Sequence, residues 1–414
     1  MKNVKDVVRQ GLCVGCGVCK DICPKKCIEI SHGIVNTPVV KESECVTCGR
    51  CLNVCPGKGV KIEELSKSYY ANGNVAHDSY IGYYNDCFSG YSNDFDIRYR
   101  SSSGGAVSQF LVFLLEKNVV DGAIVVGYQK NNPMKPIAYI ARNRQDVLNA
   151  RGSKYCVIAY DGIISEIEHT DGRFVVVGLP CHIHGFRQAA RLSKGLKEKL
   201  AGYFAIYCSS EKNMLSQDYY LYRYNVEKDK IARFSYRDYG CMGSMVFEDA
   251  TGKDLVKRIP CLDYYTGVKG FFTPWRCLLC IDHFGELADV CFGDIQVGQY
   301  KNDKIGINSI ISRSSYWTDM LLKAKEEGLL HLDRVDKSTV ISSQRFCAYQ
   351  KKGPGVVAEF KLRKLCGKSV PEYDQQFVSS QLPLKIYCKS IARVIMRFIG
   401  SHRYLWWVIR LFER

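Results

Sequence analysis

The spacing of apolar positions changes several times along this chain. Behind Ser101-Ser102-Ser103-Gly104-Gly105, the segment AVSQFLVFLLEK has the dense apolar pattern of a largely buried helix, with serines suited to cap its start. DGAIVVGY (121–128) and IAYIA (137–141) predict strands, and a short helix is expected over 144–150. RFVVVGLPC (173–181) and GYFAIYC (202–208) are continuous apolar runs ending in Cys181 and Cys208, and a helix-like segment follows the first. Strands that are apolar on both faces and separated by helices predict a parallel or mixed sheet covered on both sides. Ligands gather beyond the carboxyl ends of such strands, which is where both cysteines fall. Further on, IARFSYRDYG, GSMVFED and DLVKRIP alternate like antiparallel strands, INSIISR (307–313) reads as a late strand, and SYWTDMLLKAKEEG reads as a surface helix.

Two segments stand apart. Residues 65–95 are rich in Tyr, Ser, Asn, Gly and Asp with little periodicity, which predicts a linker. LPLKIYCKSIARVIMRFIG places Leu384, Tyr387, Ile391, Val394, Ile395 and Phe398 on one helical face, with Lys385, Lys389, Arg393 and Arg397 at every fourth position. Tyr404, Trp406 and Trp407 follow. Such a basic amphipathic helix suits either an anionic membrane surface or docking on the chain's own core or a partner, so residues 383–414 are a candidate peripheral membrane contact.

The chemistry is concentrated at the start. CVGCGVCKDICPKKCIEI and CVTCGRCLNVCPGKGVKI align without a gap, and each reads C-x2-C-x2-C-x3-C-P. Zinc sites usually pair C-x2-C knuckles across a longer gap, whereas this spacing serves two [4Fe–4S] cubes with the fourth cysteine crossing over. Cys13, Cys16, Cys19 and Cys55 are therefore assigned to one cluster, and Cys45, Cys48, Cys51 and Cys23 to the other. Cys27 aligns with Gly59 and reads as a spare buried thiol.

Length, charge and cysteine usage refine this picture. The chain has 414 residues, so about 350 follow the repeat and can form a large mixed core. Its 21 cysteines occur behind a polar start, MKNVKDVVRQ, which is not a signal peptide, so a reducing cytoplasmic setting is expected. No uninterrupted apolar run reaches the ~18 residues of a membrane span. The net charge of +16 suits acidic redox partners and anionic surfaces, and no nucleic-acid-binding signature accompanies it.

The order of motifs is a two-cluster ferredoxin module, SSSGG, RGSKY, a strand ending in G-x-P-C, a strand ending in Cys, R-C-x-x-C, and D-x-x-x-G-D. Over roughly residues 10–335 this order resembles the coenzyme F420 hydrogenase/dehydrogenase β-subunit family. The resemblance implies a flavoprotein that exchanges hydride with an organic substrate and passes electrons through iron–sulfur clusters. Two places depart from the family pattern. Leu179-Pro180-Cys181-His182 stands where relatives often have Thr-Pro-Cys-Gln, and Cys208-Ser209-Ser210 where many have Cys-His-Gly.

With that resemblance, four further expectations arise. The first is a third [4Fe–4S] cluster on Cys181, Cys208, Cys277 and Cys280, with Cys241 and Cys291 as substitutes; zinc on the C-x2-C pair, or thiols that merely fill a core, are the alternatives. The second is FAD, held by Ser102, Ser103, Gly104 and Gly105 at a helix start and by Arg151, Gly152, Ser153 and Lys154, where an ordinary capped helix and a solvated loop are the alternatives. The third is proton delivery by His182 because imidazole titrates near neutrality, although His182 and His184 also fit as ordinary hydrogen-bonded loop residues. The fourth is a redox partner, a ferredoxin or partner subunit, together with a small-molecule hydride donor or acceptor such as coenzyme F420. The fold expected is α+β to α/β: a bacterial-type ferredoxin domain at 1–64, a linker at 65–95, a mixed-sheet flavin-binding α/β domain at 96–370, and a helical tail at 371–414. An iron–sulfur flavin oxidoreductase leads. A non-catalytic electron-transfer subunit that docks its ferredoxin module onto a partner is the main alternative, and a membrane-associated redox-sensing assembly factor is a third.

Overall fold

The computed structural model describes residues 1–412 apart from 74, 269, 376 and 378–381, so positions 376, 378–381 and 413–414 of the expected tail lie outside the described residues. Its centre is an eight-stranded mixed sheet. Four neighbouring strands, Gly122–Gln129, Phe174–Gly178, Leu200–Ile206 and Val290–Asp294, run parallel. Asn132–Ala141 closes one side antiparallel, while Asn308–Ser312, Asp86–Ser92 and Leu330–Arg334 extend the other. Phe174, Val175 and Val176 are completely buried, as the unbroken apolar run requires of a strand covered on both faces.

Helices Ala106–Glu116 and Ser315–Glu326 cover one face through Phe110, Leu114, Trp317 and Leu321. Helices Ile163–Glu168 and Pro180–Leu192 cover the other. On this second face the ferredoxin repeat joins the same core, since Val4, Val18 and Ile22 pack in one cluster with Tyr160, Ile183 and Phe186. Within the repeat, Gly17 (φ 80°) and Gly49 (φ 74°) occupy equivalent left-handed positions, each immediately before a short helix, Val18–Asp21 or Arg50–Asn53. The two copies therefore share their backbone path as well as their spacing.

The linker expected at 65–95 is not one. Helix Ile62–Tyr70 crosses the boundary at 64, and Asp86–Ser92 is an inner strand of the sheet. DCFSGYS lacks β-branched residues, so its composition resembles a loop, yet Ser89 and Ser92 are buried and the Ser92 hydroxyl donates to Gln109 at 3.0 Å. The tail is also tied in, because Glu372–Tyr373 pairs in parallel with Gly59–Val60. A separate three-stranded sheet consists of Arg233–Asp238, Ser244–Glu248 and Ile259–Pro260. Of the alternating segment DLVKRIP, only its last two residues form that third strand.

Candidate functional site

The twelve predicted ligand cysteines collect into three groups. Cys13, Cys16, Cys19 and Cys55 line one small cavity, and Cys23, Cys45, Cys48 and Cys51 line a second. Cys181, Cys208, Cys277 and Cys280 line a third. Among the described residues, no three Cys, His, Asp or Glu side chains converge closely enough for a single metal ion. Four thiols spread around a cavity leave room for a cube, whereas a single zinc would require them to be drawn together. Burial pushes the Cys13 thiol up to about 12 and Cys277 up to about 11, and in both a neighbouring thiol adds to the effect. Such sets favour a bound cationic centre, which reverses that penalty by taking the thiolate form.

In the third group, Pro180 begins a helix directly after the strand Phe174–Gly178, so Cys181 sits in its first turn instead of in the expected non-helical turn. Cys208 follows the neighbouring parallel strand, and Cys277 and Cys280 flank the end of the short helix Trp275–Leu278. The buried Lys351 ammonium lines this cavity and donates to the Asp282 carbonyl at 3.0 Å. Burial opposes its charge, whereas Cys280, Cys208 and Cys277 in their thiolate form, the form that binds a metal centre, raise its pKa above the usual lysine value. The two substitutes lie elsewhere: Cys291 is buried with its thiol on the Gly285 carbonyl (3.3 Å), and Cys241 accepts from Gln296 (3.2 Å).

The cavities form a series. Cys48 in the second is exposed, and Cys19 of the first set is raised by burial and by neighbouring thiols that include Cys51 of the second. Val14 lines both the first cavity and the third. Cys208, Ser210 and Glu211 line both the third cavity and a large cleft.

That cleft, of about 390 Å³, lies at the carboxyl edge of the parallel strands, beyond Gly178, Ile206 and Asp294. Ser102, Ser103, Gly105, Arg151, Gly152, Ser153, Lys154 and His182 line it. Gly104 does not. Its N–H donates to Asn308 Oδ1 at 3.0 Å, its carbonyl accepts from Ser92 N, and a Cβ there would lie 2.9 Å from the Gly90 carbonyl. The helix start also differs from expectation. Gly105, in a left-handed conformation (φ 71°), is the N-cap, and Asn308 Oδ1 reaches across from a sheet strand to accept from Ala106 N at 3.0 Å. The serines turn to other work: Ser102 Oγ accepts from Ser153 N at 2.7 Å, and Ser103 Oγ donates to Asp294.

The basic loop is likewise partly committed. Lys154 Nζ donates to the carbonyls of Ala150 (2.5 Å), Arg151 (3.0 Å) and Gly152 (3.0 Å), which organises the loop and occupies all three of its N–H groups. Burial pushes it down to about 7, with Cys156 nearby opposing the shift. Arg151 pairs with Asp96 at 2.6 Å. The sequence reading missed Arg237. Buried in the wall, it donates to the Ser102 carbonyl, Met242 O (2.7 Å), Tyr155 OH (3.2 Å) and Asp294 (3.0 Å), joining both loops to the strand end. Asp294, the last residue of D-x-x-x-G-D, was the available signal.

His182 is fully buried in a helix, not in a loop. Its Nδ1 accepts from Leu179 N at 3.1 Å, which leaves the proton on Nε2. Burial lowers its pKa to about 4, so the near-neutral titration expected of it is lost and the ring is a neutral donor. His184 pairs with buried Asp282 at 2.8 Å. Among the described residues, Ser101 Oγ and Glu211 Oε1 in the cleft lining are buried without a hydrogen-bond partner, and His182 Nε2 has only a loose contact with the Ile158 backbone. Burial raises Glu211 to about 8. A mostly apolar cleft with a few unpaired polar atoms is built for a ligand with its own donors and acceptors.

Comparison with known proteins agrees with this architecture. The family model described as coenzyme F420 hydrogenase/dehydrogenase, beta subunit N-term, matches residues 87–164, and its C-terminus counterpart matches residues 171–338. A 4Fe-4S dicluster domain matches residues 12–59. The coenzyme F420-dependent sulfite reductase of Methanocaldococcus jannaschii is 23% identical over 83% of this chain and 51% of its own length. This chain thus spans about half of that reductase. The coenzyme F420 hydrogenase subunit beta of Methanosarcina barkeri is 22% identical over 64% of this chain and 86% of its own. One solved chain of the F420-reducing [NiFe] hydrogenase complex from Methanosarcina barkeri shares the fold, with a TM-score of 0.54 at 20% identity, covering 70% of this chain and 94% of that one. The chain belongs to the coenzyme F420 hydrogenase/dehydrogenase beta subunit family and has an N-terminal 4Fe-4S dicluster domain.

Proposed function

We propose that this chain is an iron–sulfur flavoprotein oxidoreductase that couples hydride exchange at FAD to one-electron transfer through three [4Fe–4S] clusters. One observation carries the reading: Cys208 lines both the third thiol cavity and the large cleft, so a ligand in the cleft lies against the end of a chain of thiol sets that begins at the exposed Cys48. FAD, when bound, supplies the exchange between hydride and single electrons, and clusters move electrons one at a time.

The residues divide the work. Ser102, Ser103, Gly105, Arg151, Gly152 and Ser153 would hold the cofactor, with Arg237 and Asp294 fixing the two loops against each other. Gly104, Asn308 and Lys154 shape those loops through their hydrogen bonds to the backbone. His182 keeps a proton on Nε2 and can donate a hydrogen bond into the site. Arg276 and Lys351 place two buried cations beside the third thiol set, which suits an anionic cluster.

The organic hydride partner binds in the remainder of the same cleft. Relatives named for coenzyme F420 make that deazaflavin the first compound to try, and the altered Leu179–His182 and Cys208–Ser210 segments make a different substrate the second. A ferredoxin or partner subunit exchanges electrons at the Cys48 end, helped by the positive charge of the chain. Anaerobic purification with iron, sulfide and flavin counts tests the reading: about twelve irons and one flavin per chain are expected. Stopped-flow mixing then separates the alternatives. If dithionite bleaches clusters but no flavin is bound or can be reconstituted, the docking-subunit reading replaces this one.

A further inference from the structure

The helix Leu384–Ser401 faces the wrong way for an ordinary surface helix. A helix on the surface of a protein normally turns its apolar stripe inward. Here Leu384, Ile391, Ile395 and Phe398 are 78%, 52%, 58% and 56% exposed, and Val394 lies beside them at 45%. Behind the helix the chain continues this surface with Tyr404, Trp407, Leu411 and Phe412, each more than half exposed.

The opposite face fixes that orientation. Ser390 and Gly400 are buried, and Gly400 lies so close to Phe271 that a Cβ would come within 2.2 Å of its carbonyl oxygen. Arg393 pairs with buried Glu359 at 2.9 Å and donates to Gln350 at 3.0 Å, while the Arg397 guanidinium stands 4.0 Å from the centre of the Trp275 ring. Trp406 is buried and donates to the Gly400 carbonyl at 3.0 Å. Rolling the apolar ridge inward would strand Glu359 and break each of these contacts. The four regularly spaced basic residues thus split, with Arg393 and Arg397 turned to the protein and Lys385 and Lys389 left exposed beside the ridge.

Charge identifies the occupant. From Pro383 to Phe412 there are six Lys and Arg residues and no Asp or Glu; with Arg393 and Arg403 paired to Glu359 and Asp218 and Arg397 held on Trp275, the exposed Lys385, Lys389 and Arg410 are the charges left beside the apolar face. Protein interfaces deplete lysine and charge at their core, whereas aliphatic side chains with an exposed Trp, flanked by basic residues of one sign, match an anionic lipid surface. No helix of the described residues is long and apolar enough to cross a membrane, so such contact lies along the surface. We propose that the outer face of Leu384–Ser401, together with Trp407, Leu411 and Phe412, is a peripheral docking face for an anionic lipid bilayer. The proposal is independent of the cofactor reading.

The test is flotation of the anaerobically purified full-length holoprotein. Vesicles of phosphatidylcholine alone are compared with vesicles of phosphatidylcholine mixed with phosphatidylglycerol. The wild type should float with the anionic vesicles, less so at high salt, and weakly with the neutral ones. Combined Ile391→Glu and Ile395→Glu should lower the bound fraction about tenfold or more, because both side chains are more than half exposed and the change chiefly removes what they bury on lipid. Iron content and thermal midpoint should be unchanged in that variant. Combined Lys385→Glu and Lys389→Glu should abolish the preference for anionic vesicles. Wild-type protein that stays at the bottom of the gradient, or a ridge variant that floats as well as wild type, overturns the proposal. It also fails if light scattering finds a dimer that the ridge variant splits while neither form floats, since a second copy then covers the face.

Discussion

The guanidinium of Arg276 donates to the carbonyl of Pro56 at 2.7 Å, and to that of Gly57 at 3.0 Å. Pro56 follows Cys55 and Arg276 precedes Cys277, so a single buried cation bridges the first and third thiol sets. Arg276→Gln should lower stability by about 2–3 kcal/mol, since two buried carbonyls lose a charged donor. If those thiol sets hold clusters, it should also lower the reduction potentials of the first and third by about a hundred millivolts, the order expected for a unit charge within about 10 Å at an effective dielectric of about 20. A positive charge stabilises the reduced, more negative cluster. The second cluster, near Cys48, should shift least, because the interaction falls with distance, and Arg276→Lys should recover part of the shift. Redox titration followed by electron paramagnetic resonance reads all three, and equal shifts everywhere would reduce Arg276 to a purely structural clamp.

Cys27 is more than a spare thiol in a core. Its Sγ lies 3.5 Å from that of Cys23, and it lines the same cavity as Cys23, Cys45, Cys48 and Cys51. Five thiols therefore face a site that needs four. Cys27→Ser should retain the full iron content. Cys23→Ser should lose less than one cluster's iron, because Cys27 is close enough to take its place, whereas Cys48→Ser has no such neighbour and should lose about four irons. Equal losses from the Cys23 and Cys48 variants would remove the substitute role.

The flavin reading predicts sensitivity at the loop before Ala106–Glu116. Gly105 has φ 71°, and a Cβ there would lie 2.8 Å from the Ile97 carbonyl oxygen. Gly105→Ala should cost at least about 1–2 kcal/mol from the left-handed backbone alone, and should lower flavin occupancy. Arg237→Gln should do the same by releasing Ser102 from Asp294, with no loss of iron from the ferredoxin repeat. Flavin release on heating, set against the iron count, checks both variants. An unchanged flavin content in the Arg237 variant would place the cofactor elsewhere.

The parts legible in the sequence were those whose physics is local. Eight cysteines at fixed spacing, and apolar strands that run out shortly before Cys181 and Cys208, carry their meaning within a few residues, and each set of thiols lines one cavity in the structure. Asn308 capping Ala106, Arg237 holding Ser102 and Lys154 spending its donors on neighbouring carbonyls could not be read, because two of these pairings join residues far apart in the chain and the third depends on how a loop folds. Asp86–Ser92 was hidden for another reason. Small polar residues can line a buried strand when ladder and side-chain hydrogen bonds satisfy them, and composition alone then suggests a loop. How the repeat packs was hidden in a related way, since Val18 and Ile22 look like the core of a small domain until Phe186 and Tyr160 are found against them.

That shared core decides how the third cluster should be tested. Deleting residues 1–64 would expose Tyr160, Ile183 and Phe186 and free the strand Glu372–Tyr373, so loss of colour in such a fragment would report misfolding. Combined Cys277→Ser and Cys280→Ser in the full chain is the better experiment. Both residues lie on one short segment, and serine changes little volume there. The variant should lose about four irons and keep the two ferredoxin clusters, still reducible by dithionite. Any flavin it retains should no longer exchange electrons rapidly with those clusters, because the set lining both the thiol series and the cleft has been removed. Rapid-mixing absorbance at the flavin and cluster bands resolves the two processes. A variant with unchanged iron would assign Cys181, Cys208, Cys277 and Cys280 to packing, and one that loses iron but keeps fast flavin reduction would mean that electrons reach the cleft by another route.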